Sequence, residues 1–211
     1  MHAPASCRTS RSRSATRRRC SSTREAAMTL DPVLATSAQA GAAVVVLLGA
    51  FAKMRRPAAF SQALAGYRLL PDALTAPVAF AIPLAEAIGA AALLFPDTRT
   101  TGAVGLVALL VAFAAAIAIN LLRGHTDIDC GCSGFAAARA DAPRGIGWLH
   151  VGRALLLAAL AATALVEPGA RAVVWFDYLT LFFSVLLIVC ALLTVDVLLA
   201  NGPRLSHLRN S

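Results

Sequence analysis

Charge is scarce in this chain. Asp, Glu, Lys and Arg make up 14% of its 211 residues, roughly half the share of a soluble domain, while 58% of residues are apolar. No hydrophilic block is long enough to fold by itself, which excludes a separate soluble domain. No apolar stretch directly follows the N-terminal arginines, which excludes a secretory signal. No basic stripe lies on a soluble fold, so the net charge of +8 does not point to nucleic acid. No internal repeat stands out. The mean hydropathy of +0.71 is the sign of a chain whose outward side chains are solvated by lipid.

Hydrophobic runs divide the chain into five expected membrane spans. Residues 1–27 are Arg/Ser-rich, with one acid, Glu25. They read as a disordered arm of transit-peptide-like composition, or as a start assigned too far upstream of Met28. Residues 33–52 are uncharged and long enough to cross a bilayer. The Lys53-Met-Arg-Arg-Pro57 cluster stops that first span. Residues 60–70 place Phe60, Ala63, Leu64, Tyr67 and Leu70 at helical spacing, which predicts a short amphipathic helix on the membrane surface. Residues 73–95 form the second span, with Pro77, Pro83 and a single charge, Glu86. Residues 102–122 form the third, polar only at Asn120. A polar loop runs from Arg123 to about Gly145. Residues 146–166 and 173–200 form the fourth and fifth spans, and Gly202-Pro203 is expected to end the last one. The fold class is therefore an all-α membrane bundle of about five helices spanning 28–200, followed by a polar tail at 201–211.

Five spans put alternate connections on alternate faces. One face collects Lys53, Arg55, Arg56, Arg68, Arg123, Arg139, Arg144, Arg204 and Arg209; the other, counted from Met28, has Arg99 and Arg171. Positive charge marks the cytoplasmic side, so this count puts the polar loop inside. Including the seven arginines of the first 24 residues equalises the two faces. The orientation therefore depends on where translation starts.

The polar loop holds the stretch with the most chemistry, Ile128-Asp129-Cys130-Gly131-Cys132-Ser133-Gly134. Cysteines two apart in an extended segment point to the same side, at the long end of disulfide reach. Closing a bond across one residue strains it, and strain makes a disulfide a better oxidant. Gly131 lowers the steric cost of the tight backbone. Arg123 and His125 would favour a thiolate, while Asp127 and Asp129 oppose it. Three readings follow: a redox pair exchanging disulfides with a protein partner, a metal site of Cys130, Cys132 and His125, or a structural turn. Cys190 lies mid-span and reads as a packing residue.

Glu86 is the other candidate. Ionisable groups inside a membrane are costly and often functional. Glu86 can pair with a basic side chain, hydrogen-bond a neighbouring helix when protonated, or accept a proton if a quinone binds. Asn120 and Arg153 lie near the loop-bearing face, where they can brace the loop or anchor at the interface. No cofactor is certain from these residues; a quinone is the one considered.

Several stretches together resemble the methylamine utilisation MauE family, itself distantly similar to DoxX-like four-helix membrane proteins. They are Phe60-Ser-Gln-Ala-Leu-Ala-Gly-Tyr-Arg-Leu-Leu-Pro71, Pro83-Leu-Ala-Glu86 and Ala118-Ile-Asn120-Leu-Leu-Arg123-Gly124, the last leading into Asp129-Cys130-Gly131-Cys132. The resemblance covers about residues 30–162. It implies a membrane protein that matures the disulfide-rich small (beta) subunit of methylamine dehydrogenase beside a thioredoxin-like partner. It would place the redox role on Cys130 and Cys132. Family members often read Cys-Gly-Cys-Phe-Gly, whereas this chain reads Cys-Gly-Cys-Ser-Gly-Phe, which keeps the thiols and alters the packing beside them. The implied client matures outside the cytoplasm, in tension with the charge count from Met28.

Overall fold

The computed structural model describes residues 30–126, 145–166, 169 and 174–209, with side chains described through Leu198. Cys130, Cys132, Asp129 and Gly131 lie outside the described residues.

Six α-helices and a 3-10 turn follow one another: α1 (Pro32–Arg55), α2 (Pro57–Gly66), α3 (Asp72–Leu94), α4 (Arg99–Leu122), α5 (Trp148–Ala162), the turn Thr163–Leu165, and α6 (Trp175–Arg209). Five of these segments are long and apolar enough to cross a membrane, as the hydropathy pattern predicts. The short α2 is the surface helix expected after the first span, beginning and ending a few residues earlier than its apolar spacing suggests. Asp31 starts α1: its carboxylate accepts the Val33 N–H at 2.9 Å, and Pro32 occupies the first turn, where no N–H is needed. Pro77 and Pro83 both sit inside α3, and no break in the helix results.

At its C-terminal end the structure departs from expectation. α6 does not stop at Gly202-Pro203 but runs to Arg209, so the stretch expected as a polar tail is helical nearly to its end. Proline lacks an N–H and crowds the carbonyl four residues back, yet its fixed φ is helical; a chain already in a long helix can carry it across.

The core is built from small residues. Ala42, Ala43, Ala90, Ala103 and Ala161 are fully buried, interleaved with Val45, Leu93, Leu106, Leu157 and Leu192. Close approach of helices is the usual source of cohesion where lipid removes the hydrophobic drive between them. At Gly102 a Cβ would fall 2.8 Å from the Ala92 Cβ and 2.9 Å from the Leu93 nitrogen, so the α3–α4 hairpin is closed backbone to backbone. Helix α1 is the hub, packing against α3, α5 and α6. Of its most apolar window 56% of residues are buried, against 11% for α6, which lays its aromatic face (Trp175, Phe176, Tyr178, Phe182, Phe183) toward lipid.

The connections fix the ends. Gly169 N–H donates to Leu30 O at 2.9 Å, joining the α5–α6 connection to the start of α1. At the opposite end, Ile146 N–H donates to Thr126 O at 2.9 Å. The segment carrying the two cysteines thus leaves and re-enters the bundle through stems that are tied together.

Candidate functional site

The stems come first, because they hold the cysteine segment. Helix α4 ends in paired 6→1 and 5→2 hydrogen bonds, His125 N–H to Asn120 O at 3.0 Å and Gly124 N–H to Leu121 O at 3.1 Å. This closure needs a left-handed residue, and Gly124 supplies it at φ +76°. The Asn-Leu-Leu-Arg-Gly run is therefore a helix stop, with Arg123 as the exposed cap residue. Asn120 is fully buried; its Nδ2 donates to Ala116 O at 3.0 Å, and its Oδ1 has no hydrogen-bond partner among the described residues. Beside it Tyr67, Ile117 and Ile146 form a second apolar cluster, so one end of α4, the end of α2 and the stem of α5 pack together. On the α5 side the Gly147 N–H donates to His150 Nδ1 at 3.2 Å.

Beneath these stems lie two buried ion pairs. Lys53 Nζ donates to both carboxylate oxygens of Glu86, at 2.6 and 2.7 Å, tying α1 to α3. Both side chains are more than nine-tenths buried. The ammonium also lies over the rings of Phe60 and Phe113, 5.4 and 5.5 Å from their centroids. Arg153 clasps Asp196 with two groups, Nη2 to Oδ2 at 2.7 Å and Nε to Oδ1, which ties α5 to α6. Lys53 lies two residues before the end of α1, Arg153 in the second turn of α5, and Asp196 near the end of the apolar part of α6. These three charges are thus displaced toward the loop-bearing end of the bundle. A cavity of about 30 Å³ lies between the pairs, lined by Lys53, Glu86, Arg153, Gly49 and Phe113 among others.

Set against the candidates read from the sequence, Glu86 takes the first of its options, a basic partner. Arg153 is engaged by Asp196. Asn120 stands beside the stem through its backbone and its buried amide. Lys53 and Asp196 were missed as members of the site. Lys53 reads from the sequence as the first of three surface cations, yet only 7% of it is exposed. A signal for both was present. Lys53 continues the buried stripe Ala42–Val46–Gly49/Ala50 at helical spacing, and Asp196 stands four residues after buried Leu192. Lys53 is also the only lysine in the chain.

A larger opening is mostly apolar. A cavity of about 670 Å³ lies between α5 and α6, lined by Trp148, Gly152, Leu156, Leu192, Val195 and Arg153 among others.

A helical bundle of five apolar segments, held by buried charge pairs and carrying a tethered polar loop, is a multi-pass integral membrane protein. Comparison with known proteins gives the family. Residues 31–167 match the family model described as methylamine utilisation protein MauE. The chain is 41% identical over 133 residues to methylamine utilization protein MauE of Methylophilus methylotrophus, covering 63% of this chain and 68% of that one. It is 36% identical over 132 residues to the protein of the same name from Paracoccus denitrificans, again covering 63% and 68%. The chain belongs to the MauE family. No solved structure matches it significantly.

Proposed function

We propose that this protein serves methylamine utilisation as a thiol–disulfide maturation factor of the cell membrane. Its client would be the small subunit of methylamine dehydrogenase, and its working groups Cys130 and Cys132. The observation that carries this reading is the tether. The Cys-Gly-Cys segment follows a helix that stops at Gly124 and lies in the chain between stems joined at Thr126–Ile146. Family membership supports the pathway.

In this reading a client thiolate attacks the Cys130–Cys132 disulfide and forms a mixed disulfide. A second client thiolate resolves it. The client gains one S–S bond, and Cys130 and Cys132 leave as two thiols. A thioredoxin-like partner then restores the pair: its own disulfide is reduced to a dithiol as the Cys130–Cys132 bond re-forms. A bond closed across the single residue Gly131 favours a strained, oxidising disulfide, which suits donation to a client.

The test is maturation in cells that carry Cys130→Ser, Cys132→Ser or the double variant at normal membrane levels. Client disulfides should fail to form in all three. Normal client disulfides in the double variant would remove the thiols from the mechanism. Labelling with a membrane-impermeant thiol reagent, before and after reduction, reports the side: labelling only after reduction from outside fits direct oxidation of an exported client.

A further inference from the structure

We propose that the cavity between the two ion pairs is a buried water site, and that its water joins Lys53–Glu86 and Arg153–Asp196 into one hydrogen-bonded network. This stands apart from the thiol chemistry of the loop.

Size permits it. The cavity measures about 30 Å³, and a single water needs roughly 10–15 Å³ on the same measure. Its lining also requires it. Apolar voids stay dry, but here an ammonium, a carboxylate and a guanidinium converge on one small space. Hydrogen-bonding capacity is left over on both sides. Asp196 accepts a hydrogen bond from Nη2 of Arg153 and pairs by charge with Nε, which leaves guanidinium donors over, and Lys53 occupies one lone-pair direction on each oxygen of Glu86. A water there accepts from a cation and donates to the carboxylate. In a low-dielectric interior each such bond is stronger, and each bond left unmade is more costly, than at a surface.

The chain keeps this space open at one residue. Gly49 lies one turn before Lys53 on the same face of α1, and a Cβ added to it would meet nothing within 4 Å. Glycine inside a helix is less favourable than alanine or leucine. Alanine is used freely elsewhere on this helix, so the opening at Gly49 is retained against helix propensity. The ligand class is water.

The test uses the full chain in lipid nanodiscs and infrared difference spectra between ordinary and heavy-oxygen water. Wild type should show an O–H stretch of an enclosed water that shifts with the isotope. Gly49→Leu, whose side chain occupies the space, should lose that band and melt at a lower temperature than wild type, despite leucine's better helix propensity. Absence of the band in wild type, or its persistence in Gly49→Leu, overturns the proposal. A raised Tm in Gly49→Leu overturns it too, since that is the result of filling a dry void. If Gly49→Leu fails to fold, Gly49→Ala is read by the same band: a diminished band is expected, and an undiminished one counts against the site.

Discussion

Removing the ammonium of Lys53 should be among the most damaging single changes in the bundle. Lys53→Met deletes two charge-assisted hydrogen bonds, of 2.6 and 2.7 Å, and leaves the Glu86 carboxylate more than nine-tenths buried without its counter-ion. Breaking buried pairs by removing one partner costs about 3–5 kcal/mol in measured cases, and a loss of that size is expected here. It should be read from reversible unfolding in mixed micelles, with both single variants and the double variant in one cycle. Lys53→Met/Glu86→Met replaces the pair by apolar groups of similar size and should return to within about 1 kcal/mol of wild type. A loss below about 1 kcal/mol in Lys53→Met, or a double variant as unstable as the sum of the singles, would refute the reasoning.

Other outcomes follow from the same coordinates. Gly102→Ala and Gly41→Ala should each cost about 1–3 kcal/mol: the new methyl meets the Ala92 and Leu93 backbone at 2.9 Å in the first, and Cγ2 and Cβ of Ile188 at 2.6 and 3.1 Å in the second, where the branched side chain is stiff. Thermal unfolding of the two variants side by side checks both. Gly124→Ala forces an alanine to φ +76° and should lose about 1–2 kcal/mol, with faster hydrogen exchange confined to residues 120–126 and the Ile146 stem. Arg153→Met strands Asp196 between α5 and α6 and should loosen α6 first, seen as earlier proteolysis of that helix than of α1 or α4. Arg153→Lys should rescue only in part, since an ammonium does not reproduce the bidentate clasp.

The spans were legible because a bilayer imposes one length on every crossing helix, and runs such as 33–52 and 102–122 meet it without a charge. The surface helix was legible from Phe60, Ala63, Leu64 and Tyr67, which share one face. The continuation of α6 past Gly202-Pro203 was not, because local signals for stopping a helix are preferences that a long helix can override. Within the site, Glu86 stood out as a lone charge in an apolar run. Its partner did not, because Lys53 sits in a cluster with Arg55 and Arg56 that imitates an interfacial stop, and only its register on the helix separates it from them. The Arg153–Asp196 pair joins residues 43 positions apart on helices whose adjacency no local pattern announces. Gly124 was read as part of a family motif; its left-handed φ gives the physical reason for it.

One feature of the bundle offers a direct experimental handle. Because Lys53 is the only lysine and is shut inside the helices, the native protein presents no side-chain amine to the medium. An amine-reactive dye should tag the folded chain at its α-amino group alone and acquire a second tag only when α1 and α3 part. Unfolding of this membrane protein can then be counted in added mass, in its own lipids and without an engineered label.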